Sequence, residues 1–80
     1  MESLSNVKVG KSAIVKRLNG GREFINRIAA LGFTLGTKII VIQNFGRGPV
    51  IVGLRDSRVA LGRGEATKIQ VMVENGEQPD

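Results

Sequence analysis

The sequence predicts a small, mainly β barrel of about five strands, with one short α-helix inserted between strands 1 and 2. Three observations lead there. Short aliphatic runs are separated by glycine-containing turns, a single segment has helical spacing, and 80 residues allow only one domain. The barrel is expected over residues 1–74, and the polar stretch ENGEQPD closes the chain with a tail at 75–80 that reads as flexible.

The first strand is expected at 12–18, after a turn around Gly10, and the NGG at 19–21 breaks it. In REFINRIAAL, the residues Phe24, Ile25, Ile28, Ala29 and Leu31 recur at helical spacing, with Arg22, Glu23, Asn26 and Arg27 on the other side. Asn19, Gly20 or Gly21 can start this helix. Gly32 suits the left-handed position that ends one. Phe33 and Leu35 are then expected to turn back into the core, with Gly36 bending the chain into the next strand.

That strand, 37–44, is apolar on both faces. A loop follows at 44–49 (NFGRGP), then a strand at 50–55 with Val50, Val52 and Leu54 on one side. DS at 56–57 reads as a tight turn, RVAL at 58–61 as a strand, and GRGEA at 62–66 as a bend. The last strand, in TKIQVMV, has Ile69, Val71 and Val73 on one face. The turn positions are Gly10, Gly32, Gly36, Gly48, Pro49, Gly62 and Gly64. VKVGK before the first strand parallels FTLGT before the second, as if both strands were entered through the same kind of turn.

Composition narrows the function. With no His and no Cys, the usual general base, thiolate nucleophile and preferred transition-metal ligands are all missing, and neither disulfides nor thiolate–metal staples support the fold. The seven carboxylates are scattered, and none forms a Ca²⁺-loop pattern. Asp56 and Glu65 could approach across a hairpin, but solvated surface acids are the simpler account. The glycine-rich stretches GGR, GRGP and GRGEA lack the spacing of a phosphate-binding loop. A non-catalytic protein without a cofactor is expected, with oxygen-only metal coordination as the weak exception.

The longest uninterrupted aliphatic run, Ile39 to Ile42, is far short of the roughly 18 residues of a spanning helix, and the N-terminus lacks the apolar centre of a signal peptide. A cytoplasmic protein is the expectation. The net charge is +5 from twelve Lys and Arg against seven Asp and Glu. Three of those acids, Glu2, Glu77 and Asp80, lie near the ends, so the body is more basic still. Acidic proteins, nucleic acid and anionic membrane are all admissible partners for such a surface.

Read together, the motifs L.NVKVGK...V..L at 4–18, R...I..LGFTLGT...V at 22–41, GP..V at 48–52 and VALGRGEATKIQV at 59–71 resemble the FeoA family, the small accessory proteins of bacterial ferrous-iron transport. The helix followed by leucine-glycine and, after Phe33, Thr34 and Leu35, a second glycine is the most specific element. The resemblance implies an SH3-like barrel and a role in binding and regulating the FeoB-type Fe²⁺ membrane transporter from its cytoplasmic side. It also implies a location peripheral to the inner face of the membrane. The family is described as related to transition metals, but this chain has no imidazole to offer Fe²⁺.

Partner contacts are expected from the helix residues Arg22, Asn26 and Arg27 and from Phe45 and Arg47 in the 44–49 loop. Phe24 and Phe33 read as core. Phe45 either caps one end of the barrel or stands out as an anchor, and Arg27 could pair with Glu23 one helical turn away. The alternative function is a basic SH3-like module that binds RNA or ribosome. A single exposed aromatic makes a thin stacking platform for that role. Attachment to an anionic leaflet would need clustered lysines, and the cations here are spread out.

Overall fold

A computed structural model describes residues 1–74; the expected tail at 75–80 lies outside the described residues. Its elements are β1 (Glu2–Ser3), a 3₁₀ turn (Leu4–Asn6), β2 (Ser12–Leu18), α1 (Arg22–Ala30), β3 (Lys38–Gln43), β4 (Val50–Leu54), β5 (Ser57–Leu61), α2 (Arg63–Thr67) and β6 (Ile69–Val73). The strands form one antiparallel sheet in the order β1-β6-β2-β3-β4-β5. Register shifts between Val15 and Arg17 in β2 and between Val41 and Gln43 in β3 bend these strands and curl the sheet.

Alternation fills the interior from β2 to β6. Ala13 and Val15, Ile39 and Val41, Val50, Val52 and Leu54, Leu61, and Ile69 and Val71 all face inward and are buried. Leu4, Val7, Phe24, Ile28, Phe33 and Ala66 close the core, and no polar or charged residue is buried among the described residues. Such a core is held by apolar burial alone.

The mainly β expectation holds, with three corrections. The strands number six, because β1 pairs Glu2 with Val71 and Ser3 with Gln70. Two polar residues carry no readable alternation. The expected bend at 62–66 is instead the short helix α2, which two glycines disguise. Tertiary and local bonds hold it: the Ser3 hydroxyl donates to the Ala66 and Thr67 carbonyls (both 3.3 Å), and Thr67 Oγ1 donates to the Arg63 carbonyl (2.8 Å). Accordingly Gly62 is the N-cap of α2, with φ −61°, and Gly64 lies inside the helix. Finally, the turn read at Asp56–Ser57 is formed by Arg55 and Asp56, with Leu54 paired to Ser57.

Helix α1 ends as its sequence indicates. Gly32 takes φ +105°, its N–H donates to the Ala29 carbonyl (2.9 Å), and the Phe33 N–H reaches back to Ile28 (3.1 Å). These two bonds make a Schellman motif. They deliver Phe33 into the core, where it is inaccessible. Leu35 does not follow it. It sits at the corner of a turn closed by the Thr37 N–H on the Thr34 carbonyl (3.1 Å) and is 65% exposed. A Cβ at Gly32 would also lie 2.7 Å from Leu54 Cδ2. Gly32→Ala therefore combines backbone strain with a clash, and a loss of about 1–2 kcal/mol is expected in urea unfolding.

The two glycine entries are geometrically equivalent. Gly10 (φ +91°) donates to the Val41 carbonyl of β3, and Gly36 (φ +90°) donates to the Val15 carbonyl of β2, both at 2.8 Å. In return, Val41 N–H bonds Lys11 and Val15 N–H bonds Thr37. The likeness of VKVGK and FTLGT is thus a shared way of entering neighbouring strands.

Candidate docking surface

Helix α1 rests on the barrel through a narrow face, Phe24 and Ile28. Ile25, Ala29 and Leu31, expected on that face, remain exposed. Nine residues crossing a small curved sheet bring only one side chain per turn into deep contact. Arg22, Glu23, Asn26 and Arg27 all face solvent. The expected pairing of Arg27 with Glu23 is replaced by a longer-range one. Arg27 places Nε 3.0 Å and Nη2 2.9 Å from Glu65 Oε2, joining α1 to α2. At this level of exposure the pair contributes about 0.2–1 kcal/mol.

Glu65 has a second task. Its other oxygen accepts the backbone N–H of Gly62 (3.2 Å), the carboxylate half of a capping box. One carboxylate thus starts α2 and orients Arg27.

Two residues earlier on the same helix, Arg63 reaches the opposite way. Its Nη2 donates to Asn44 Oδ1 (2.7 Å), its Nε to the Gly48 carbonyl (3.1 Å) and its Nη1 to the Ser5 carbonyl (3.2 Å). Asn44 Nδ2 in turn donates to the Ser5 (3.0 Å) and Val7 (2.8 Å) carbonyls, while its oxygen also accepts the Gly46 N–H (3.1 Å). The loop after β3 is therefore clamped at both ends, and positive φ at Gly46 (+83°) and Gly48 (+73°) shapes it between the clamps.

Phe45 projects from this braced loop and is 75% exposed, so it does not cap the barrel. Arg47 is exposed beside it and makes no hydrogen bond or ion pair among the described residues. A large apolar ring held on an ordered loop, next to an unpaired guanidinium, has the composition of an interface anchor.

The expected contact residues thus fall into two groups, Arg22, Asn26 and Arg27 on α1 and Phe45 and Arg47 on the loop. Helix α2 links them through Glu65 and Arg63. Sequence reasoning passed over Asn44 and Arg63 and considered Glu65 only against Asp56, whereas its carboxylate goes to Arg27 and the Gly62 N–H. The available signal was the Gly-x-x-Glu spacing of 62–65, a helix start hidden by the glycines. Among the described residues, no three His, Cys, Asp or Glu side chains cluster to hold a metal, and no helix is long and apolar enough to cross a membrane.

A family model described as the FeoA domain matches residues 2–73. The chain is 40% identical over 77 residues to a Methanocaldococcus jannaschii protein that carries the name of an Fe(2+) transport protein A, spanning 96% of this chain and 90% of that one. It is 38% identical over 69 residues, 85% of its length, to an Fe(2+) transport protein A/Fe(2+) transporter FeoB fusion protein of Porphyromonas gingivalis, of which the match spans 8%. Among solved structures it superposes on the crystal structure of an iron uptake regulatory protein, FeoA, with a TM-score of 0.84 at 29% identity, covering 91% of this chain and 96% of that one.

Proposed function

Since the chain belongs to the FeoA family, whose members are associated with Fe(2+) transport and share this SH3-like barrel, we propose that it is a non-catalytic accessory protein that docks on a FeoB-type Fe²⁺ transporter and regulates it. One observation carries this reading. In Porphyromonas gingivalis a segment similar to most of this chain shares one polypeptide with the transporter. Covalent linkage keeps two domains at a high effective concentration, an arrangement that suits domains that work in contact.

The surface best suited to that contact is the braced Phe45–Arg47 loop, continued over α2 to Arg22, Asn26 and Arg27 on α1. Phe45 supplies apolar area, and the arginines complement an acidic partner surface. Iron enters this account as the cargo of the transporter. A chain without imidazole or thiolate is a poor Fe²⁺ ligand, and its contribution is protein–protein recognition at the cytoplasmic face of the membrane.

The test is calorimetric titration of the protein with the cytoplasmic part of the FeoB-type transporter from its own organism, across a range of salt. Saturable one-to-one binding with a shallow salt dependence is expected. Binding only to single-stranded RNA, falling log-linearly and steeply with salt, would replace this reading with the nucleic-acid one.

A further inference from the structure

The outer face of the sheet carries a second feature, away from the Phe45 loop. The registers Ser12↔Ile40, Ile40↔Gly53 and Gly53↔Arg58 set these four residues in one row across β2, β3, β4 and β5. Strand β3 is apolar on both sides, yet only Ile39 and Val41 are buried, and Ile40 is 42% exposed. The outward isoleucines lean over Gly53. A Cβ there would stand 2.9 Å from Ile40 Cγ2 and 3.1 Å from Ile42 Cδ1. The missing side chain leaves a groove of about 420 Å³ lined by Ser12, Lys38, Ile39, Ile40, Gly53 and Arg55.

Cations stand at its rim. Lys38 is held by Glu74 (3.2 Å), whereas Arg55 and Arg58 make no hydrogen bond or ion pair among the described residues. Arg55 is also the only non-glycine residue among them with positive φ, at +56°. It occupies the first position of the two-residue β4–β5 turn, where glycine is the relaxed choice. An arginine kept at backbone cost, with its guanidinium unpaired, points to work for that guanidinium. Arg55 also borders two adjoining hollows, beside the exposed Leu35 and Leu31.

We propose that this groove is a docking site for a partner segment that carries a carboxylate next to an aliphatic side chain. The aliphatic group lies over Gly53 against Ile40, and the carboxylate pairs with Arg55. The charge of the rim selects this occupant. A second copy of the chain would set the unpaired Arg55 and Arg58 against their own kind, whereas an acidic segment neutralises them. The proposal does not depend on the transporter reading, because none of the groove residues belongs to the Phe45 surface.

The test uses the blocked tripeptide Ac-Glu-Leu-Glu-NH₂ as probe, with Ac-Gln-Leu-Gln-NH₂ and Ac-Glu-Gly-Glu-NH₂ as controls, followed by amide chemical shifts. The first peptide should shift the amides of Ile40, Gly53 and Arg55, and both controls should bind more weakly. Arg55→Gly should weaken binding roughly two- to five-fold, the range of one exposed ion pair, while its thermal midpoint stays level or rises because the strain is relieved. Arg55→Lys should recover part of the affinity. Equal binding of all three peptides, or Arg55→Gly binding as well as the parent, would overturn the proposal. So would a lowered midpoint in Arg55→Gly, which makes the residue structural. Dimerisation that moves the same three amides would also overturn it, by giving the groove to a second copy.

Discussion

Phe33→Ala is expected to cost about 3–5 kcal/mol in urea unfolding, the usual range for truncating a buried phenylalanine. A domain of this size has roughly 4–12 kcal/mol in total, so the variant stands close to the folding threshold. Phe33 is the largest of the inaccessible side chains, and its position follows from the Schellman turn at Gly32. Removing the ring empties the centre of a core that has no disulfide to hold it. A loss below about 1 kcal/mol would mean that the ring is not the keystone its burial indicates.

Arg63→Ala is expected to lower stability by about 2 kcal/mol, since three guanidinium hydrogen bonds are lost, the Gly48 carbonyl must find another partner and the Ser5 carbonyl keeps only Asn44. Thermal unfolding reads that cost. The larger consequence is local. With the clamp gone, Asn44 alone holds one end of the loop, and amide exchange at Gly46 and Arg47 should accelerate well before the sheet opens. Transporter binding should fall as well, because the anchor then has to be ordered on contact. Unchanged exchange in the loop would show that the 44–48 backbone keeps its shape by glycine geometry alone.

The five longer strands and the first helix were legible because their signals are local. Val50, Val52 and Leu54 alternate, Ile69, Val71 and Val73 do the same, and Gly32 stands where a left-handed residue is needed. What escaped depends on distance in sequence. Glu65 meets Arg27 across 38 residues, and Arg63 meets Ser5 across 58. No periodicity announces such pairs. Helix α2 has glycine at its cap and its second position, so propensity argued against it, and the side chains of Ser3, Glu65 and Thr67 overrode propensity. Hydrophobicity alone sends Leu35 inward, whereas the turn closed by Thr34 and Thr37 points it out. The residues of the candidate surface were named from charge and exposure; the α2 bridge that connects them was not.

Docking through the braced loop is most directly tested by titrating the cytoplasmic part of the FeoB-type transporter with the parent protein and with Phe45→Ala side by side. The ring is largely exposed, so the thermal midpoint should be unchanged within error. Affinity should fall by about 2 kcal/mol, roughly thirty-fold, as for a central aromatic anchor. Equal affinities for the two proteins would contradict the account and move the contact elsewhere on the barrel.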